Sequence, residues 1–169
     1  MSGRSSFSTR RLCGSAPRSR GSWASGWPAA PGPGFNAVEP DNLDSWSRSE
    51  RALTVHDNLA FAARLIKRAH ALGLAIAQKN AAEISATGKR IGFDFAIAEE
   101  CQAYSECDSY TRPYGSNVIE IEYPDNGGPA GFTAACKARG DEISVVYRDR
   151  DVLPAGQHGH VEQHCPVSR

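Results

Sequence analysis

Between residues 34 and 150 short apolar runs alternate with amphipathic stretches, and several of the apolar runs end abruptly in charged residues. Phe35–Glu39 predicts a first strand, which gives way to Pro40, Asp41, Asn42 and Asp44. Thr54 then offers an N-cap, with Asp57 as its capping-box partner, for a helix over Val55–Leu72. Leu59, Ala62, Ala63, Ile66, Ala69 and His70 recur on one face of that helix, and Arg64, Lys67 and Arg68 on the other. Gly73 stops it, and Leu74–Ala77 predicts the next strand, running into Gln78, Lys79 and Asn80. A short helix over Ala81–Thr87 leads to a strand over Phe93–Ala98, closed by Glu99, Glu100 and Cys101. A helix over Gln102–Tyr110, a strand over Val118–Glu122, a helix over Phe132–Ala138 and a strand over Ile143–Tyr147 complete the pattern.

Strict β-α alternation at this spacing predicts an α/β fold with a parallel sheet and right-handed crossovers. In such folds ligands meet the C-terminal ends of strands. Those ends carry Glu39, Asp41, Asn42 and Asp44; Lys79 and Asn80; Glu99 and Glu100; and Glu122 with Tyr123. Two carboxylates across a sugar ring serve as acid and nucleophile, or as acid and base. A turn with a helix cap explains Asp41, Asn42 and Asp44 equally well. Period-2 alternation groups Ile119, Ile121 and Tyr123 on one face and Glu120 and Glu122 on the other. It places charges and small residues in a barrel interior and bulky apolar residues under the helices. On the third strand that parity sends Glu99 toward the helices and Glu100 inside. Lys79 either orients substrate and lowers a neighbouring carboxylate's pKa or forms an ordinary ion pair.

The flanks differ. Residues 1–33 are rich in Ser, Arg, Gly and Pro, carry five arginines and no acid, and show no period. They predict a disordered segment, a transit-like leader, or sequence from a misplaced start or shifted frame. Residues 151–169 predict a polar tail, in which His158, His160, His164 and Cys165 have a spacing that could bind a metal but read better as solvated. Arg148, Asp149, Arg150 and Asp151 predict a surface charge cluster.

Removing the N-terminal arginines leaves 14 basic against 19 acidic residues, so the body is acidic. That excess disfavours nucleic acid and membrane as partners and suits a cationic or neutral ligand. No apolar run approaches the roughly 20 residues of a membrane span, and no secretory apolar core opens the chain. Five cysteines leave at least one unpaired or joined elsewhere. Free buried thiols and a Cys101–Cys107 bridge both fit; the bridge would imply an oxidising compartment. No phosphate-cradling loop, metal set or cofactor motif is expected.

Val38-Glu39-Pro40-Asp41-Asn42-Leu43-Asp44, Ala69-His70 with Gly73-Leu74, Lys79-Asn80, Phe93-Asp94-Phe95 before Glu99-Glu100-Cys101, Tyr104 with Glu106-Cys107, and Glu122-Tyr123 follow in order. This set resembles glycoside hydrolase family 114, the endo-α-1,4-polygalactosaminidase-type TIM barrels, over residues 34–150. The resemblance implies a (β/α)8 barrel, represented here by about the last five strands and therefore incomplete. It implies hydrolysis of α-1,4 links in a galactosamine-containing polysaccharide by an extracellular enzyme without a cofactor. It assigns Asp41 as nucleophile and Glu99 as general acid/base. Glu39, Asn42, Asp44, Lys79, Asn80, Glu100, Glu122 and Tyr123 are then expected to bind substrate. The family's Asn-Glu-Gln-Cys pattern reads Ala98-Glu99-Glu100-Cys101 here, so Glu99 and Glu100 compete for the acid/base role. A half-barrel that binds sugar weakly, without catalysis, is the alternative expectation.

Overall fold

The computed structural model describes residues 35–41 and 43–166. Strand β1 (Ala37–Val38) is followed by a 3-10 turn (Ser45–Arg48) and helix α1 (Val55–Ala71). Next come β2 (Ala75–Lys79), a 3-10 turn (Ala82–Ile84), α2 (Ser85–Ile91) and β3 (Phe95–Glu99). Helix α3 (Cys107–Tyr114), β4 (Val118–Glu122), α4 (Gly128–Arg139), β5 (Ser144–Arg148) and β6 (Glu162–His164) complete it. The strands form one sheet in the order β1-β2-β3-β4-β5-β6. Pairs β1 to β5 are parallel, and β6 joins antiparallel. The parallel order is what the alternation predicts, and among the described residues the sheet does not close on itself, as the resemblance to part of a TIM barrel implies.

Local chemistry explains the elements. Thr54 and Asp57 form the expected capping box at the start of α1. Ala62, Ile66 and Ala69 are the buried positions of that helix. Asp94 fastens α1 to the sheet: its Oδ2 accepts the Ile76 N–H at 2.8 Å and lies 2.9 Å from His70 Nε2. Gly88 of α2 packs where a Cβ would collide with the side-chain oxygen of Gln78. The main core lies between sheet and helices, with Ile76, Ala96, Ala98, Val118 and Val145 facing Ile66, Ile84, Tyr110 and Ala135.

Several expectations are corrected. The faces of β3 and β4 are the reverse of those predicted. Small residues (Ala96, Ala98) lie under the helices, and bulky ones (Phe95, Ile97, Ile119, Ile121) line the opposite face beside Ala77 and Tyr123. Close packing of helices onto the strands favours small side chains, which parity alone cannot reveal. The helix after β3 begins at Cys107, because a Cys101–Cys107 disulfide first closes residues 101–107 into a turn. The segment read as a polar tail supplies β6 and is fastened to α4 by a Cys136–Cys165 disulfide. Free buried thiols are thus overturned at these four positions. Cys13 and Asn42 lie outside the described residues.

Candidate active site

The reversal of faces brings Lys79, Glu99 and Tyr123 together, because each sits on the face that carries Ala77, Ile97 and Ile121. Lys79 is the hub. Its Nζ lies 3.1 Å from Glu99 Oε2, 3.2 Å from Glu39 Oε1 and 3.8 Å from Asp41 Oδ1, with 11% of its side chain exposed. Taking the ammonium out of water lowers its pKa. Glu99 and Glu39 more than offset that, so Lys79 stays charged with a raised pKa.

Glu99 is surrounded by donors. Asn80 Nδ2 reaches its Oε2 at 3.0 Å, the Tyr123 hydroxyl donates to Oε1, and Arg148 Nη2 stands 3.8 Å from Oε1. Burial pushes the Glu99 pKa up. The bonds from Tyr123, Asn80 and Lys79 outweigh it and hold the carboxyl below the usual range. Tyr123 responds oppositely, since burial and then the bond to Glu99 push its hydroxyl pKa up.

Asn80 is aimed by an element that the sequence did not single out. Gln78 is fully buried, and its Nε2 donates to Asn80 O, Ala81 O and Ser85 Oγ, while its Oε1 accepts from the Tyr114 hydroxyl. This holds Asn80 and Ala81 in left-handed backbone, with φ of 51° and 59°. From there Asn80 grips Glu99 twice, its Oδ1 accepting the Glu99 N–H at 2.8 Å. Strain of this kind is sustained only where surrounding bonds over-determine it.

Glu100 turns away from this cluster. Its own φ of 61° redirects the chain, and its Oε1 accepts from Asn126 Nδ2 at 2.9 Å and Arg150 Nη2 at 2.6 Å. Arg150 also binds Asp125 at 2.7 Å and lies 4.1 Å from the Tyr123 ring centroid. Arg148 sits over the same ring at 5.2 Å. Both arginines therefore belong to the site, which corrects the reading of residues 148–151 as a surface cluster. The strand-end rule, applied to β5, would have found Arg148.

The remaining expected residues are placed differently. Asp44 pairs with Arg48 at 2.7 Å in the 3-10 turn, as the turn reading anticipated. Glu122 is buried on the helix side of β4 and accepts the Gln102 N–H at 2.9 Å, so it does not join Lys79 and Glu99. Asp41 is half exposed, at 53%, with the 3.8 Å approach to Lys79 as its ion pair. Beside it opens a groove of about 730 Å³ lined by Leu43, Leu53, Phe61 and Leu65; neither Lys79 nor Glu99 lines it.

Lys79 within 4 Å of both carboxylates bounds their nearest oxygens to less than about 7 Å, within reach of one sugar ring. Two carboxylates, a shared ammonium and an aromatic hydroxyl at parallel-strand ends suit glycosidic cleavage. The sequence model of glycoside-hydrolase family GH114 matches residues 28–168. The chain belongs to glycoside-hydrolase family GH114. Among solved structures, this GH114 chain is similar to Aspergillus fumigatus Ega3 crystallised in complex with galactosamine, at TM-score 0.61 and 26% identity. The similarity covers 77% of this chain and 54% of that one, so the GH114 region here spans about half the length of its structural relative. No curated protein matches the chain.

Proposed function

We propose that the chain hydrolyses α-1,4 links in a galactosamine-containing polysaccharide, with Asp41 and Glu99 as the two reacting carboxylates. The observation that carries this reading is Lys79, whose ammonium lies against both of them at the strand ends. Membership of GH114 supports glycosidic chemistry, and the galactosamine in the relative's complex supports a galactosamine substrate. The acidic body complements a deacetylated, cationic polymer. Two disulfides support an oxidising, extracellular setting.

Asp41 acts as nucleophile and Glu99 as acid/base. Lys79, Asn80 and Tyr123 hold Glu99 ionised in the free site, the form that takes a proton from water when the glycosyl intermediate is hydrolysed. The protonated form that serves leaving-group departure is accordingly scarce at neutral pH. A lowered Glu99 pKa means that this form grows as pH falls, so kcat/KM should rise toward acid, with the limb below the ordinary carboxylate range. Asp41→Asn and Glu99→Gln should each reduce reducing-end release from α-1,4-galactosamine oligomers by about 10²–10⁴-fold. Wild-type turnover in either variant would remove that residue from the mechanism.

A second reading is binding without turnover. It is favoured by the open sheet, which leaves Asp41 half exposed at the β1 edge. Saturable binding of the oligomers by the 169-residue chain, with no reducing ends released, would select it.

A further inference from the structure

The carboxyl group of Glu122 has no place in the chemistry just described, yet it is among the most enclosed on the molecule. Its residue is 1% exposed, its Oε1 accepts the Gln102 N–H at 2.9 Å, and its Oε2 is buried with no hydrogen-bond partner among the described residues. The charged groups facing it come from three elements. Glu120 of its own strand touches its side chain, Glu100 approaches from the end of β3, and Arg139 reaches in from α4. Arg139 is already committed. Its Nε and Nη2 each bind Glu120 at 2.8 Å, and Nη2 also binds the Gln102 side-chain oxygen at 2.6 Å. Glu100 is likewise committed to Arg150 and Asn126. No direct cationic partner is left for Glu122 among these groups, and a second anion beside Glu120 in this buried space would be unfavourable.

A proton resolves the conflict. A neutral Glu122 keeps the Gln102 amide on its carbonyl oxygen and donates its O–H to the Glu120 carboxylate. A ring results: Arg139 holds Glu120 and Gln102, Gln102 holds Glu122, and Glu122 holds Glu120. This ring fixes the backbone three residues beyond Glu99. We propose that Glu122 is a proton-bearing positioning residue that locks the Glu100–Gln102 segment and thereby aims Glu99.

Burial first, and then the two neighbouring carboxylates, push the Glu122 pKa up to about 7 against the opposing Gln102 bond. The sign follows. Below that value the neutral acid closes the ring. As pH rises through it, Glu122 ionises, its O–H bond to Glu120 is lost and repulsion from Glu120 and Glu100 opens the ring, while the carboxylate accepts the Gln102 N–H more strongly. The Glu120 arm of the ring, and with it the aiming of Glu99, is then lost on the alkaline side, independently of the acidic limb set by Glu99 itself.

The role in catalysis rests on the hydrolase reading, but the lock can be tested without it. Amide exchange of Gln102, corrected for the intrinsic rate, is followed between about pH 6 and 8 in the full chain. Wild-type protection should rise about tenfold across this range, because the carboxylate is the stronger acceptor of the Gln102 N–H and one unit of titration can produce such a change. Glu122→Gln, whose NH2 replaces the carboxylic O–H, should keep protection level and flatten the alkaline limb of kcat. Equal protection profiles in the two proteins would overturn the proposal. A titrating lock without any hydrolysis would sustain it and sink the hydrolase reading alone. Should the variant fail to fold, the side-chain carboxyl ¹³C shift of Glu122 in the wild-type chain decides. A midpoint near 7 supports the proposal, and one in the ordinary carboxylate range overturns it.

Discussion

The two proposed carboxylates sit in unequal surroundings. Glu99 stands at the end of a strand paired on both sides, under donors from β2, β4 and β5, and both disulfides fasten this half of the sheet. Asp41 follows a two-residue strand that is paired on one side among the described residues, is half exposed, and borders an apolar groove. One half of the proposed centre is thus fixed by half-buried hydrogen bonds, and the other is held, among the described residues, chiefly by Lys79. Precision in such a site depends on how well the loose half is carried by the rigid one.

The largest expected effect comes from loosening the rigid half. Cys136 and Cys165 are 29 residues apart in sequence, a closure whose loss costs about 3.5 kcal/mol on chain-entropy grounds. The Cys136→Ser, Cys165→Ser double variant should melt correspondingly lower in calorimetry, because β6 then depends on a short antiparallel pairing alone. An unchanged melting temperature would mean that β6 contributes nothing to this half and that its rigidity comes from elsewhere.

Lys79→Met attacks the link between the halves. It leaves Glu39, Asp41 and Glu99 without their shared cation, at a loss of about 2 kcal/mol, between the exposed and the buried case because the carboxylates keep part of their hydration. The pKa of Glu99 should also rise, since Lys79 is one of the groups that hold it down. Linkage gives the direction. A carboxylate with a depressed folded pKa adds stability that is present above its unfolded pKa and lost as pH falls through the folded one. The variant should therefore lose less stability on acidification than the parent, and its acidic rate limb should move upward. Identical acid profiles would show that Lys79 does not couple the two carboxylates.

How much of this was legible in the sequence depends on distance along the chain. The capping box at Thr54 and Asp57, the α/β order and the strand ends at Lys79, Glu99 and Tyr123 are set by neighbours a few residues apart, and the pattern carries them. Which face of β3 meets the helices was not legible. Alternation defines two faces but not their partners, and Phe95 and Ile97 lie opposite the helices. The roles of Arg148 and Arg150 depend on β5 lying beside β4, which brings residues 25 and 50 positions away into contact. Glu122 looked like a substrate ligand because it sits at a strand end. Only the bonds from Gln102 to Glu122, and from Arg139 of α4 to Gln102 and Glu120, show that it faces the helix side.

The smallest expected effect concerns the loose half itself. Phe61 is 48% exposed on α1 and shares the groove beside Asp41 with Leu53 and Leu65. An exposed aromatic of this kind adds little to folding, because much of its surface stays in water in both states. Phe61→Ser should therefore change stability by under about 1 kcal/mol. Exposed apolar patches nevertheless promote association. Light scattering should show less self-association in the variant at matched concentration, with the Glu99 side unaffected. If Phe61→Ser instead melts as low as the Lys79 variant, the groove is part of the core, and Asp41 is as firmly seated as Glu99.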